Sequence, residues 1–338
     1  MRIIKPLLFF ALVLLMVEIT FRVYLFGTDS LNPMRMNSYT QIHDSGLTQP
    51  ARIPSIYYEL RPNYDGWFKG SRFETNAEGL RDQDYTLDKP ADTFRVAVLG
   101  SSWTMGSGVE QEEIWHSVLE NTLNSDAGPL RYEFINFAVD QYGLGEIVAT
   151  LENKVPAYQP DLVVIALTYY TPTVLWLDPS AKYVEQPRRN PFFNFYVLRV
   201  IDMRLNLGMF EDSDTRRESF VGHTTFREQI ERAVGHIETF SAETTIPAVI
   251  VKLAYTRGWG GTTAETDTSL ISSLSNSIVY FNIEDTVISH GYKGKQLRIS
   301  NWDSHPNPLA HQLIADAVLA GLKENSLLPE AAGASTVP

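Results

Sequence analysis

The apolar run Phe94–Leu99 ends in Gly100-Ser101-Ser102-Trp103-Thr104-Met105-Gly106, and far along the chain stands Asp303-Ser304-His305-Pro306-Asn307. A buried strand closing in a small-residue turn exposes a hydroxyl at the C-terminal edge of a sheet, where open α/β folds bind ligands. A serine nucleophile belongs at such a turn. The distant Asp-x-His supplies a base and a carboxylate to orient it, because triads assemble in space and their chain order differs between folds. Serine hydrolysis or acyl transfer is the chemistry these residue types point to.

The elements that must position them are legible as alternating patterns past Asp92. Short apolar runs at Phe94–Leu99, Tyr132–Phe137, Asp161–Leu167, Ala248–Leu253 and Ile278–Phe281 predict strands. Helical spacing falls at Glu112–Leu123, Leu144–Val155, Thr225–Ala242 and Pro308–Lys323. That alternation predicts an α/β fold, a doubly wound parallel sheet in a three-layer sandwich. Residues 171–222 interrupt it with Trp176, Tyr183, Phe192, Phe193, Phe195, Tyr196 and Phe210, an aromatic-rich insertion that reads as a lid over the sheet's C-terminal edge or a small core of its own.

Composition narrows the function classes. The 338 residues are 44% hydrophobic and 12% aromatic, enough for a sizeable core. With 28 basic and 40 acidic residues the formal charge is −12, which argues against nucleic acid as a partner. The chain has no cysteine, so disulfides, thiolate metal sites and cysteine nucleophiles are excluded. The histidines outside the Asp-x-His, at 43, 116, 223, 236, 290 and 311, have no metal-ligand rhythm, and no phosphate or dinucleotide fingerprint is present. Neither a metal nor a cofactor is expected.

The first residues are basic at Arg2 and Lys5, and an uncharged apolar run follows from Leu7 to Val17. The apolar pattern continues to Phe26 without an Ala-x-Ala cleavage site, so residues 1–26 read as an uncleaved anchor with the remainder outside the cytoplasmic membrane. Glu18 and Arg22, four apart, read as the charged end of that anchor or as a contact with a polytopic membrane partner. Residues 27–56 read as a polar linker, 57–92 as an extension of short strands packing on the main domain, 93–325 as that domain and 326–338 as a disordered tail. Asn76 and Arg81 in the extension read as turn and surface residues, with lining of a site as the alternative. Gly258-Trp259-Gly260-Gly261 reads as a flexible loop after a strand.

Leu99-Gly100-Ser101-Ser102-Trp103-Thr104-Met105-Gly106 resembles the first block of the SGNH, or GDSL-type, hydrolase superfamily, and Asp303-Ser304-His305-Pro306-Asn307 resembles its last. Thr75-Asn76-Ala77-Glu78-Gly79-Leu80-Arg81 is similar to the lead-in of membrane-anchored bacterial members. The resemblance covers roughly residues 57 to 325 and implies the flavodoxin-like sandwich of that superfamily. It makes Ser102 the nucleophile, His305 the general base and Asp303 the residue that orients the imidazole. The second block, where the family usually supplies a glycine amide to the oxyanion hole, places Gln141; the third, where it usually supplies an asparagine, places Tyr170 with Thr171 beside it. Both depart from the family pattern, as does the two-residue spacing of Asp303 and His305. The implied activity is an extracytoplasmic esterase acting on O-acyl esters of a glycan or lipid. The alternatives are an O-acyltransferase decorating a cell-surface polysaccharide and a catalytically degenerate carbohydrate-binding or assembly protein.

Overall fold

Three apolar runs, flanked by two more mixed edge strands, form a single five-stranded parallel sheet. The protein is described by a computed structural model at residues 4–36, 38–42, 45–53, 55–125, 128–168, 195–205, 207, 226–253, 275 and 277–329. The chain opens with helix α1 (Ile4–Phe26) and a short α2 (Pro33–Met36). Strands β1 (Thr48–Pro50) and β2 (Tyr58–Leu60) pair antiparallel, as do β3 (Asp65–Phe68) and β4 (Ser71–Glu74). There follow β5 (Thr93–Leu99), α3 (Ser102–Met105), α4 (Trp115–Asn124), β6 (Arg131–Asn136), α5 (Leu144–Asn153), β7 (Leu162–Leu167) and α6 (Tyr196–Leu205). The chain closes with α7 (Phe226–Thr244), β8 (Ala248–Lys252), β9 (Val279–Asn282), α8 (Glu284–Ser289) and α9 (Pro308–Glu324).

The sheet order is β6-β5-β7-β8-β9, every pairing parallel. The chain leaves β5 for β6 on one side and crosses back to β7 on the other, so the switch point lies between the C-terminal ends of β5 and β7. Central strands read as unbroken apolar runs because both faces are covered. Val96, Val98, Val164, Val249 and Val251 pack under α4 and α9 on one face, while Ala97, Leu99, Ile135, Ile165 and Ile250 pack under α5 and α7 on the other. The doubly wound α/β class expected from the sequence is therefore present, with strand ends within a residue or two of the expected positions.

Two segments differ from their sequence reading. Residues 27–56 are polar in composition, yet Met36, Ile42, Leu47 and Ile56 are buried, and β1 is fastened to β2. Sparse apolar residues without periodicity anchor an irregular segment as firmly as a patterned one, so this stretch is part of the domain rather than a tether. At the other end, Leu327 and Leu328 pack on the core beneath α9, and the Leu327 amide donates to the Leu322 carbonyl (2.9 Å). Only residues beyond Pro329 in the expected tail lie outside the described residues.

The extension 57–92 is stitched to the sheet by buried polar groups. The Tyr58 hydroxyl donates to the Asp140 carbonyl (2.6 Å) and the Tyr142 hydroxyl to the Tyr58 carbonyl (2.6 Å). Asp82 accepts from the Asn136 amide (2.8 Å), and Asn136 Nδ2 donates to the Arg81 carbonyl (3.2 Å). At the far end of the sheet Arg95, fully buried on β5, donates to Glu133 Oε2 (2.8 Å) and to the Tyr158 carbonyl (2.7 Å). Glu133→Gln leaves that guanidinium buried without its carboxylate, a loss of about 3–5 kcal/mol expected for one partner of a buried pair. Urea unfolding of the detergent-solubilised protein measures it; a loss under about 1 kcal/mol would mean the pair behaves as a surface one.

Candidate active site

Ser102 stands at the start of α3, directly after β5 at the switch point. Gly100 permits this turn: a Cβ there would lie 2.6 Å from Thr104 Oγ1 and 2.9 Å from the Ala166 carbonyl oxygen on β7. Ser101 is buried and its carbonyl accepts from the Thr104 and Met105 amides, whereas Ser102 is partly exposed. The helix lasts one turn and ends at Gly106, whose φ is 83°. The Gly106 and Ser107 amides both return to the Ser102 carbonyl at 3.0 Å. Arg81 holds this turn from outside, donating to the carbonyls of Met105, Gly106, Val109 and Arg72, with its guanidinium over the Phe73 ring. It is fully buried, and burial draws its pKa down to about 10. Of the two expected surface residues, Arg81 thus braces the turn of Ser102, and Asn76 closes its own loop through the Glu78 and Leu80 amides.

Asp303 and His305 lie on the loop between α8 and α9. The Ile299 amide donates to the His305 carbonyl (2.9 Å) and the Asn307 amide to the Leu297 carbonyl (3.0 Å), closing the loop at its base. Asn307 then caps α9, accepting from the Ala310 amide (3.0 Å), with Pro308 at the first helical position. The two-residue spacing is workable because Asp303 Oδ1 accepts both the His305 amide (2.9 Å) and Nδ1 (2.5 Å). Burial raises the Asp303 pKa, but His305 and Lys69 outweigh it and hold the carboxyl well below the usual range. An ionised carboxylate only accepts, so Nδ1 carries the hydrogen and Nε2 of the neutral ring is the base nitrogen. Among the described residues no hydrogen bond joins Ser102 to His305, an arrangement common in resting sites that tighten on binding.

Sequence reasoning missed Lys69 and Asp140. Lys69 and Gly70 form the two-residue turn between β3 and β4, with φ of 49° and 89°, the signature of a type I′ hairpin. A Lys-Gly turn ordinarily faces solvent; this lysine is buried. Its Nζ lies 3.4 Å from Asp303 Oδ2, 3.8 Å from Asp140 Oδ2 and 3.3 Å from His305 Nδ1. Since Nζ and Nδ1–H are both donors, that last approach reflects a shared acceptor, Asp303. Burial draws the Lys69 pKa down, yet the two carboxylates raise it above the ordinary value. Asp140 in turn accepts from the Ser107 hydroxyl (3.4 Å), closing a path from the turn of Ser102 to Asp303 and His305. The left-handed φ at Lys69 was the one local clue, and it is not visible in a sequence.

Gln141 has φ 65°. That is the left-handed backbone a glycine adopts freely and a side chain adopts at a cost of about 1 kcal/mol. Its side chain donates to Gln41 Oε1 (3.1 Å). Tyr170, Thr171 and the loop Gly258–Gly261 lie outside the described residues. His116 and His311 are buried against α4 and α9, and burial lowers both to about 3, so they remain neutral packing residues; His311 Nδ1 accepts from the Trp115 amide (3.3 Å). Among the described residues no cluster of His, Asp or Glu is arranged to hold a metal ion.

No protein-family model matches the chain, and no curated protein matches it. Solved structures similar to it include LAE5, an α/β hydrolase enzyme from the metagenome of Lake Arreo, at 16% identity and TM-score 0.43 over 68% of this chain and 95% of that one. A two-domain esterase active on acetylated mannans matches at 15% identity and TM-score 0.42, over 70% of this chain and 50% of that one. A catalytic mutant of Axe2, an acetylxylan esterase from Geobacillus stearothermophilus, matches at 13% identity and TM-score 0.41 over 67% of this chain and 93% of that one. Likeness at these values leaves the chemistry to the site's own geometry.

The Lys69 cluster predicts a pH dependence. Asp303, whose folded pKa is lowered, contributes stability that is fully present above about pH 4 and lost as pH falls below it. Lys69, whose folded pKa is raised, contributes stability present below about pH 10 and lost above it. Lys69→Met removes part of both, so thermal unfolding should show the largest gap from wild type near neutral pH and a gap that narrows between about pH 4 and 2. A gap independent of pH over that range would disprove the coupling.

Proposed function

We propose that the protein is an SGNH-type serine esterase, anchored in the cytoplasmic membrane with its catalytic domain outside, acting on O-acyl esters of a glycan or lipid. The observation that carries this reading is the dyad geometry: an ionised Asp303 holds His305 Nδ1–H at 2.5 Å and so commits Nε2 to act as base, on a loop tied through Lys69 and Asp140 to the turn of Ser102. Ser102 Oγ attacks the acyl carbonyl while Nε2 takes its proton. The tetrahedral oxygen is received by the Gln141 amide, kept in the glycine-like conformation, and the block resemblance adds the Tyr170 hydroxyl and Thr171 as further donors. Collapse breaks the ester C–O bond, His305 returns the proton to the departing alkoxide, and an acyl-serine remains. Water then resolves it in an esterase and a sugar hydroxyl in an acyltransferase.

Anchoring is supported by how α1 is built into the fold. Glu18 Oε1 and Oε2 accept the amides of Tyr196 (2.9 Å) and Val197 (3.1 Å), and Phe26 packs among Tyr39, Tyr196 and Trp302. Cleavage after residue 26 would strip those partners from the domain. Arg2 and Lys5 at the start favour a cytoplasmic N-terminus.

Labelling with a fluorophosphonate tests the nucleophile. Ser101→Ala should label as wild type does, since that serine is buried, while Ser102→Ala should not label and His305→Asn should slow labelling by at least about a thousandfold. Wild-type labelling of Ser102→Ala would remove the assignment. With p-nitrophenyl acetate as donor, acceleration by an added glycan would mark the transferase branch.

A further inference from the structure

Helix α6 carries an apolar stripe that is uncovered among the described residues. Leu198, Ile201 and Leu205 are 44%, 42% and 65% exposed and, at 100° per residue, fall on one side of the helix. Tyr196, on the opposite side, is fully buried against Phe26 and Trp302. Arg199 and Arg204 flank the stripe on either side. This is the pattern of a helix lying in a membrane interface: Arg204 beside the stripe is exposed and long enough to reach headgroups, while the Arg199 guanidinium turns back over the Tyr196 ring (5.9 Å).

The length of α1 fixes where that interface falls. Every residue of Ile4–Val17 is exposed, and this free stretch is about 21 Å long at 1.5 Å per residue, short of the roughly 30 Å of a hydrocarbon core. For α1 to cross, the bilayer must reach up to the stretch from Glu18 to Phe26, and that is the stretch on which α6 is packed. Glu18 is equipped for such a level: its carboxylate is satisfied by Arg22 Nε (2.7 Å) and the two amides at the start of α6.

The same end of α1 is held by the catalytic loop. The Asn301 amide donates to the Leu25 carbonyl (2.8 Å) and Asn301 Nδ2 to the Tyr24 carbonyl (2.9 Å), filling two acceptors that a helix C-terminus leaves open. Trp302 follows, packed edge-on to Tyr196, and Asp303 follows Trp302.

We propose that α6 is embedded in the outer boundary of the bilayer that α1 crosses, and that α1 and α6 together fasten the loop of Asp303 and His305 at the membrane surface. The occupant of the apolar stripe is lipid. The proposal rests on α1 being an anchor, and the test separates the two.

The chain has no cysteine, so single substitutions place a fluorophore without a background. Full-length Leu12→Cys, Leu198→Cys, Ile201→Cys and Thr122→Cys, each labelled with bimane, are reconstituted in nanodiscs of phosphatidylcholine and phosphatidylglycerol. Some of the lipid carries a doxyl quencher just below the glycerol backbone. The labels at 12, 198 and 201 should be quenched at least about twofold relative to unquenched lipid, and that at 122 on α4 should be unchanged. Quenching at 12 with none at 198 and 201 would overturn the proposal while leaving the anchor in place. No quenching at 12 would overturn the anchor and the proposal with it. Equal quenching at 122 would show adsorption of the whole domain and would also refute a specific role for α6.

Discussion

The ammonium of Lys69 lies between Asp140 and Asp303 and beside the imidazole of His305, and it joins the segments that form the candidate site. Three distant segments converge there: the β3–β4 turn, the loop after β6 and the loop before α9. Two carboxylates brought this close in a buried setting repel each other unless a cation stands between them. The cost of placing a lysine there, in burial and in a left-handed backbone, is borne at the tip of a hairpin whose strands pack on the domain through Phe68 and Phe73.

From that contact follows the role of the whole N-terminal extension. It is not an accessory to the α/β sandwich but supplies part of the candidate site. Arg81 makes the same point from the other side, joining the carbonyls of Met105, Gly106 and Val109 after Ser102 to that of Arg72 on β4. A guanidinium surrounded by carbonyl acceptors fixes backbone rather than side chains, so its influence is on where the turn of Ser102 sits. Tyr58 and Tyr142 lock the Asp140 loop to β2 in the same manner.

The sheet was legible because strands covered on both faces are unbroken apolar runs, and Val96–Leu99 and Leu162–Leu167 are such runs. The dyad was legible because Asp303-x-His305 is a local motif whose chemistry is carried by residue types. Lys69 was not, because Lys-Gly between two short strands is how any exposed hairpin turn is written. Residues 27–56 were misjudged for a related reason: Met36, Ile42 and Leu47 are too scattered to show a period, and their burial is set by partners far along the chain. The stripe of α6 was hidden within a segment that reads as aromatic and irregular, since its meaning depends on which side Tyr196 turns toward Phe26.

The Lys69 ammonium stands 3.3 Å from the imidazole Nδ1, and a cation at that distance opposes a second proton on the ring, so its contribution lies in assembly. It holds the Asp303 carboxyl ionised, and that carboxylate fixes the orientation of the imidazole through Nδ1. Glu18 on α1 solves a parallel problem, its carboxylate matched by Arg22 and two amides. In both places an acid withdrawn from water is matched by a cation from another turn or segment, and the acid's remaining hydrogen bonds, from His305 to Asp303 and from the start of α6 to Glu18, fix a neighbouring element in place.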